Sequence, residues 1–131
     1  NTSAICSSVI GTSGMMEFAA GTATFTCSIL LTEYQRMIAF GTKGRVEIEI
    51  PFNAPADRPC RGWLETEGNL EQIEFPICDQ YGIQADLFSQ AILNNTPVPT
   101  PIEDAVANMR TLEAIVRSGK NKSWETLAAG A

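Results

Sequence analysis

Apolar and polar residues alternate along much of the first 80 positions, a pattern that is typical of β-strands with one buried face. In the clearest run, Arg45–Ile50, every second residue is aliphatic and the residues between them are charged. A longer run, Thr22–Leu31, begins with Ala, Phe and Cys on one face and threonines on the other. Further strand candidates are Met15–Phe18, Arg36–Phe40, Gly62–Glu67 and Leu70–Ile77.

Glycine and proline residues divide these runs. The segments Gly11–Gly14, Gly41–Gly44 and Gly68-Asn69 are interpreted as turns, and Asn53–Pro59 as a loop. The sequence Gly41-Thr42-Lys43-Gly44 superficially suggests a phosphate-binding loop. A P-loop, however, has the pattern GxxxxGK[ST] and leads into a helix, whereas a strand follows here. A hairpin turn is therefore the favoured interpretation.

The spacing of apolar residues changes from two to three or four after Asp79, which predicts two helices. The first covers Tyr81–Asn94. The second has Thr100 as N-cap, proline at its first position and glutamate at its third, and ends at Gly119. Its predicted buried face is formed by Ile102, Ala105, Val106, Met109, Leu112 and Val116. Residues Ser123–Leu127 could add a last short strand.

Strands followed by helices, rather than alternating with them, predict an α+β fold in which residues 1–131 form a single domain. We expect a predominantly antiparallel, open-faced β-sheet with two C-terminal helices packed on one face. Two helices leave the other face uncovered, so it must meet water or another surface. That face carries either the threonines Thr22, Thr24 and Thr26 or the charged residues Arg45, Glu47 and Glu49.

Composition narrows the possible functions. Nine basic and 15 acidic residues give a formal net charge of −6, which argues against a nucleic-acid binder with a basic surface and against a polybasic membrane-surface protein. The chain contains no histidine, which excludes His-dependent catalytic and zinc sites within it. The excess of acidic residues around Glu65–Glu74 is interpreted as a solvated strand edge.

The four cysteines, Cys6, Cys27, Cys60 and Cys78, include no CxxC pair, so a Cys₄ zinc site is disfavoured. We expect buried free thiols, because Cys27 lies within an alternating apolar run and a chain of this length needs no disulfide. Two disulfides remain the alternative. Aromatic residues that could stack on a sugar or a partner are Tyr34, Trp63 and Tyr81, although a peripheral core position is the favoured interpretation.

Several motifs occur in an order that resembles the C-terminal domain of the glucose–fructose oxidoreductase / inositol dehydrogenase / rhizopine-catabolism (Gfo/Idh/MocA) oxidoreductases. The similarity extends from about Ser13 to Glu125. Its motifs are Phe18-Ala19-Ala20-Gly21, Gly41-Thr42-Lys43-Gly44-Arg45, Asp79-Gln80-Tyr81 and Pro101-Ile102-Glu103-Asp104-Ala105. They are specific as an ordered set and not singly.

The resemblance implies that the parent protein is an enzyme, an NAD(P)-dependent oxidoreductase acting on a sugar, cyclitol or related polyol. In that family an N-terminal Rossmann domain binds NAD or NADP, and a lysine in a Glu-Lys-Pro motif takes part in catalysis. This chain has neither motif. We therefore assign it no catalytic, cofactor-binding or metal-binding residue and expect the isolated chain to be inactive. The residues expected to face a substrate are Tyr34, Arg58 and Tyr81.

The partners that the resemblance implies are a homodimer or higher oligomer formed through the open sheet face, the missing Rossmann domain and a small sugar-like substrate. Neither a nucleic acid nor a membrane is expected, and the expected location is the cytoplasm. Two alternatives remain open. The chain could be an independent, non-catalytic binding or scaffold module that uses the open sheet face, or a disulfide-bonded secreted domain.

Overall fold

The computed structural model describes residues 2–7 and 11–127, with side chains for the latter range. Within them the chain forms two compact units, one containing residues up to 32 and from 100 onward, the other residues 33–99. Strands come first and helices last, which confirms the α+β class. The elements are β1 (Thr2–Ser7), β2 (Gly11–Phe18), β3 (Gly21–Cys27), β4 (Met37–Gly41), β5 (Gly44–Ile48), β6 (Cys60–Thr66), β7 (Asn69–Phe75), α1 (Gln80–Asn94) and α2 (Ile102–Asn121).

The first unit contains a three-stranded antiparallel sheet in the order β1-β2-β3, and α2 packs against β1. The alternation predicted for Thr22–Leu31 is confirmed for Ala23 and Phe25, which are less exposed than the neighbouring threonines. The strand ends at Cys27, so residues 28–31 are not part of it, and Ile29 is exposed. On the hydroxyl-rich face, the Oγ of Ser13 lies 2.9 Å from the Oγ1 of Thr26 across the β2–β3 pair.

Two predictions for this sheet are wrong. Residues 11–14 do not form a turn but begin β2, where they pair with β1 on one side and β3 on the other. Cys27 was expected to be buried, yet it lies exposed at the end of β3. Cys60 is buried and Cys78 exposed, and all three thiols are free. The side chain of Cys6 lies outside the described residues.

Helix α2 buries a different face from the predicted one. Small side chains of its C-terminal half are buried, namely Ala114, Ser118 and Gly119, and small residues allow a helix to approach a sheet closely. The larger apolar residues form an exposed stripe along the helix, which consists of Ile102, Val106, Met109, Leu112 and Val116.

The ends of α2 also differ from the prediction. The N-cap is Pro101 rather than Thr100, and it makes no side-chain cap hydrogen bond. The helix continues past Gly119 to Asn121 and ends at Lys122, which adopts the left-handed conformation. The buried Ser118 Oγ donates a 2.6 Å hydrogen bond to the carbonyl oxygen of Ser123 and thereby fixes the chain after the helix. Residues 123–127 form no strand, although Glu125 makes an isolated bridge.

The second unit contains a four-stranded antiparallel sheet in the order β4-β5-β6-β7. The predicted strands thus belong to two sheets, one in each unit. Gly41–Gly44 is the predicted hairpin turn, with Thr42-Lys43 at its tip. The β6–β7 turn is Glu67-Gly68, one position earlier than predicted, and both residues have positive φ (52° and 80°) as a type I′ turn requires.

Helix α1 follows this sheet within the second unit, and its predicted extent is confirmed to within one residue. Asp79 caps its N-terminus, because Asp79 Oδ1 accepts hydrogen bonds from the backbone N–H groups of Tyr81 (3.0 Å) and Gly82 (3.1 Å). Asn95, in the left-handed conformation, ends the helix. Among the described residues, no helix has the length and apolar character that crossing a membrane requires.

Candidate functional site

A cleft of about 430 Å³ lies within the second unit. Three segments form its walls: residues 33–36 before β4, residues 49–50 immediately after β5, and the rest of the loop that connects β5 to β6. Most of its lining is polar and includes Glu33, Tyr34, Gln35, Arg36, Glu49, Asn53 and Arg58. The cleft therefore presents both hydrogen-bond donors and acceptors to a ligand.

Glu49 is the most heavily hydrogen-bonded side chain of the cleft. Its Oε1 accepts a 2.6 Å hydrogen bond from Arg61 Nη2, and its Oε2 accepts from Arg61 Nε (3.2 Å) and from the Arg61 backbone N–H (3.1 Å). These hydrogen bonds from Arg61 hold the pKa of the Glu49 carboxyl at about 2, below its ordinary value of 4.5. Glu49 is thus a fixed carboxylate, and Arg58 Nη1 lies 3.7 Å from its Oε2.

Arg36 enters the cleft from the segment before β4 and is held by aromatic rings. Its guanidinium carbon lies 5.1 Å from the ring centroid of Trp63, whose ring is also 5.8 Å from the guanidinium carbon of Arg61. These distances are within the range of cation–π attraction. Arg36 Nε also donates a long, 3.4 Å hydrogen bond to Tyr34 Oη, which raises the pKa of the guanidinium.

The charged face of β5 is partly buried because neighbouring side chains cover it. Arg45 Nε donates a 2.6 Å hydrogen bond to Glu65 Oε2 on β6, and Glu47 lies within 3.3 Å of both Arg36 and Arg45. Only 19% of the Glu47 side chain and 14% of the Glu49 side chain are exposed. This face, one of the two that were candidates for the open face, is therefore covered by its own ion pairs.

Two glutamines hold the loop at the start of the cleft wall. Gln35 Oε1 accepts a hydrogen bond from the backbone N–H of Phe52, and Gln80 Nε2 donates one to the Phe52 carbonyl oxygen, both 3.3 Å long. The backbone N–H and the carbonyl group of Phe52 are thus both hydrogen-bonded. Phe52 immediately precedes Asn53, which lines the cleft. Because Gln80 begins α1, the second contact also ties the start of that helix to the loop.

The structure brings together two of the three predicted substrate-facing residues. Tyr34 and Arg58 line the same cleft. Tyr81 is not among the lining residues and is two-thirds exposed in the first turn of α1. Sequence reasoning missed Arg36 and Glu49 as lining residues, although an Arg at a strand entry and a Glu at a strand end were visible signals. Among the described residues, no cluster of three or more Asp, Glu, Cys or His side chains is arranged to hold a metal.

Known proteins with similar sequences support the assignment by motif. An uncharacterized oxidoreductase of Rhizobium meliloti is 34% identical over 122 residues, which cover 88% of this chain and 36% of the relative. The chain is thus similar to about a third of an oxidoreductase. The match supports the oxidoreductase class that the motifs imply, and membership of the Gfo/Idh/MocA family stays a prediction. No protein-family model matches the chain.

Solved structures of oxidoreductases share the fold. A 3-ketoreductase of Actinomadura kijaniata, crystallised with NADP and TDP-benzene, superposes on 83% of this chain and 34% of its own, with a TM-score of 0.71 and 22% identity. A Klebsiella pneumoniae protein assigned as an oxidoreductase superposes on 99% of this chain and 43% of its own, with a TM-score of 0.76 and 18% identity. The chain spans between 34% and 43% of the length of these relatives.

Proposed function

We propose that this chain is the substrate domain of an NADP-dependent oxidoreductase that acts on a sugar, cyclitol or related polyol. Support for the cofactor and the reaction comes from the Actinomadura kijaniata 3-ketoreductase, which was crystallised with NADP. In this proposal the cofactor and the proton-transferring groups belong to the part of the protein outside this chain. The chain itself, without that part, neither binds NADP nor turns over substrate, and the whole protein works in the cytoplasm.

The lining of the cleft carries the proposal. Sugar hydroxyls both donate and accept hydrogen bonds, so a site for them needs both kinds of partner. The cleft supplies donors from arginine and acceptors from glutamate, with amide groups from Gln35 and Asn53 that do both. Tyr34 adds a ring against which the apolar face of a sugar could pack. Tyr81 does not line the cleft, and we propose for it only a place near the cleft entrance.

The same proposal includes a subunit interface on a sheet face. The charged face of β5 already satisfies its side chains through Arg36, Arg61 and Glu65, which leaves little for a partner subunit to pair with. The hydroxyl-rich face of the first unit is exposed instead. We therefore assign a homodimer contact to the face that contains Thr22, Thr24 and Thr26, with a buried area on the order of 1,000 Å² or more.

The test is reduction or oxidation of a panel of sugars and cyclitols by the full-length protein that contains this chain, measured by NADPH absorbance. Asn53→Ala should raise KM for the preferred sugar with a smaller effect on kcat, because the amide contacts substrate in the ground state as well as in the transition state. Asn69→Ala, in β7 and outside the cleft, is the matched control. No NADP-dependent turnover of any polyol or keto-sugar by the full-length protein would contradict the proposal.

A further inference from the structure

The charged side chains that line the cleft differ in how much of their hydrogen-bonding capacity is already used. Both oxygens of Glu49 are engaged by Arg61, with three hydrogen bonds between 2.6 and 3.2 Å. The partner of Glu49 is thus Arg61, which does not line the cleft. Arg58 does line the cleft, and its interaction with the Glu49 carboxylate is weaker than that of Arg61.

Arg58 retains most of its donors. Its Nη1 lies 3.7 Å from Glu49 Oε2, which is beyond hydrogen-bonding distance, and donates only a long 3.4 Å bond to the carbonyl oxygen of Pro59. Half of the side chain is exposed. A guanidinium carries five N–H donors in a planar fork, so Arg58 can still offer a pair of parallel N–H groups to a ligand.

Arg36 contributes a second guanidinium to the lining of the same cleft. Its Nη1 is shielded from solvent and has no hydrogen-bond partner among the described residues, although it lies 3.3 Å from Glu47 Oε1 as an ion pair. Two cationic side chains therefore line this cleft, and Arg58 is the one with accessible donors.

We propose that the cleft binds an anionic group, a carboxylate or a phosphate, with Arg58 as its principal contact and Arg36 as the second. This inference rests on the proposed function, because it concerns the same cleft, and it narrows the substrate class to sugar acids or sugar phosphates. Planar guanidinium forks match carboxylate and phosphate oxygens in two parallel hydrogen bonds, which a neutral hydroxyl cannot reproduce. The net charge of −6 repels anions from the chain as a whole, so such binding needs a local site.

The experiment is a titration of the full chain, ¹⁵N-labelled, with glucose, glucuronate and glucose 6-phosphate at matched ionic strength. We expect at least one anionic probe to bind roughly tenfold or more tightly than glucose, with shifts at Asn53 and Arg58. Arg58→Gln should abolish that preference. Lys43→Gln, which removes the same charge from a turn outside the cleft, should leave it intact, and Arg58→Lys should restore part of it.

Each outcome of the titration bears on the inference. Tighter binding of glucuronate assigns the site to carboxylates, and tighter binding of glucose 6-phosphate assigns it to phosphates. Glucose bound as tightly as both anions would overturn the inference while leaving the polyol proposal standing. An anion preference that survives in a folded Arg58→Gln variant would overturn it as well, and so would no binding of any probe. NADPH turnover by the full-length protein judges the proposed function separately.

Discussion

The glycine that follows the β4–β5 turn provides the sharpest test of the fold around the cleft. A Cβ placed on Gly44 would overlap the backbone carbonyl oxygen of Glu65 on β6. Gly44 pairs with Thr66 and Arg45 with Glu65, so relief requires β5 and β6 to separate at that end. Overpacking against backbone that cannot move away costs about 1–3 kcal/mol, and we expect Gly44→Ala to destabilise this sheet by about 2 kcal/mol or more.

Gly41, on the other side of the same turn, is the matched control. A Cβ there would meet only the carbonyl oxygen of Gly44 at 3.6 Å, which is ordinary contact, so Gly41→Ala should change stability by about 0.5 kcal/mol at most. Urea unfolding in a Trp124→Phe background makes Trp63 on β6 the sole indole. With an m-value of about 2 kcal/mol/M, Gly44→Ala should lower the midpoint by about 1 M. Equal midpoints for the two variants would refute the steric account of this hairpin.

Two further predictions concern an ion pair and a helix cap. Because the pKa of Glu49 is lowered, its contribution to stability is complete above a pH of about 4.5 and is lost as the pH falls through about 2. In acid denaturation, the difference in unfolding free energy between the native chain and Glu49→Gln should therefore shrink over that window. A constant difference from pH 7 to pH 2 would contradict the assigned hydrogen bonds from Arg61. Asp79→Ala should lower the free energy of unfolding by about 1 kcal/mol, because it removes the N-cap of α1. Thr100→Ala should lower it little, because Thr100 is not the N-cap of α2. Equal losses of stability in thermal denaturation would contradict these cap assignments.

The sequence predicted most of the second unit because its signals are local. Strand residues alternate with a period of two, so the run from Arg45 to Ile50 determined which side chains share a face before any partner strand was known. The glycines around Thr42-Lys43 and at Gly68 placed both hairpins to within one residue. In the cleft, Tyr34 and Arg58 could be proposed as contact residues. The role of Glu49 could not, because its partner Arg61 is 12 positions away in sequence and on another strand.

The wrong predictions concern features that depend on packing between residues far apart in the sequence. Gly11–Gly14 has turn-forming residues, but strand pairing on both sides keeps it extended. In α2 the periodicity correctly predicted a stripe of large apolar residues, and it was assumed to be the buried face. Helix periodicity says which residues share a face but not which face meets the sheet. The small residues Ala114 and Ser118 take that place, since they permit close packing on β1.

The ion pairs between β5 and β6 also favour the native register of these two strands. Arg45 is paired with Glu65, and Glu49 with Arg61, at opposite ends of the same strand pair. A slip of one residue would turn every side chain of β5 to the other side of the sheet and separate both pairs at once. Misaligned forms of the sheet are thus penalised at two points about 13 Å apart along an extended strand. Glu49 also lines the cleft. Formation of these ion pairs therefore brings the cleft lining into place in the same step.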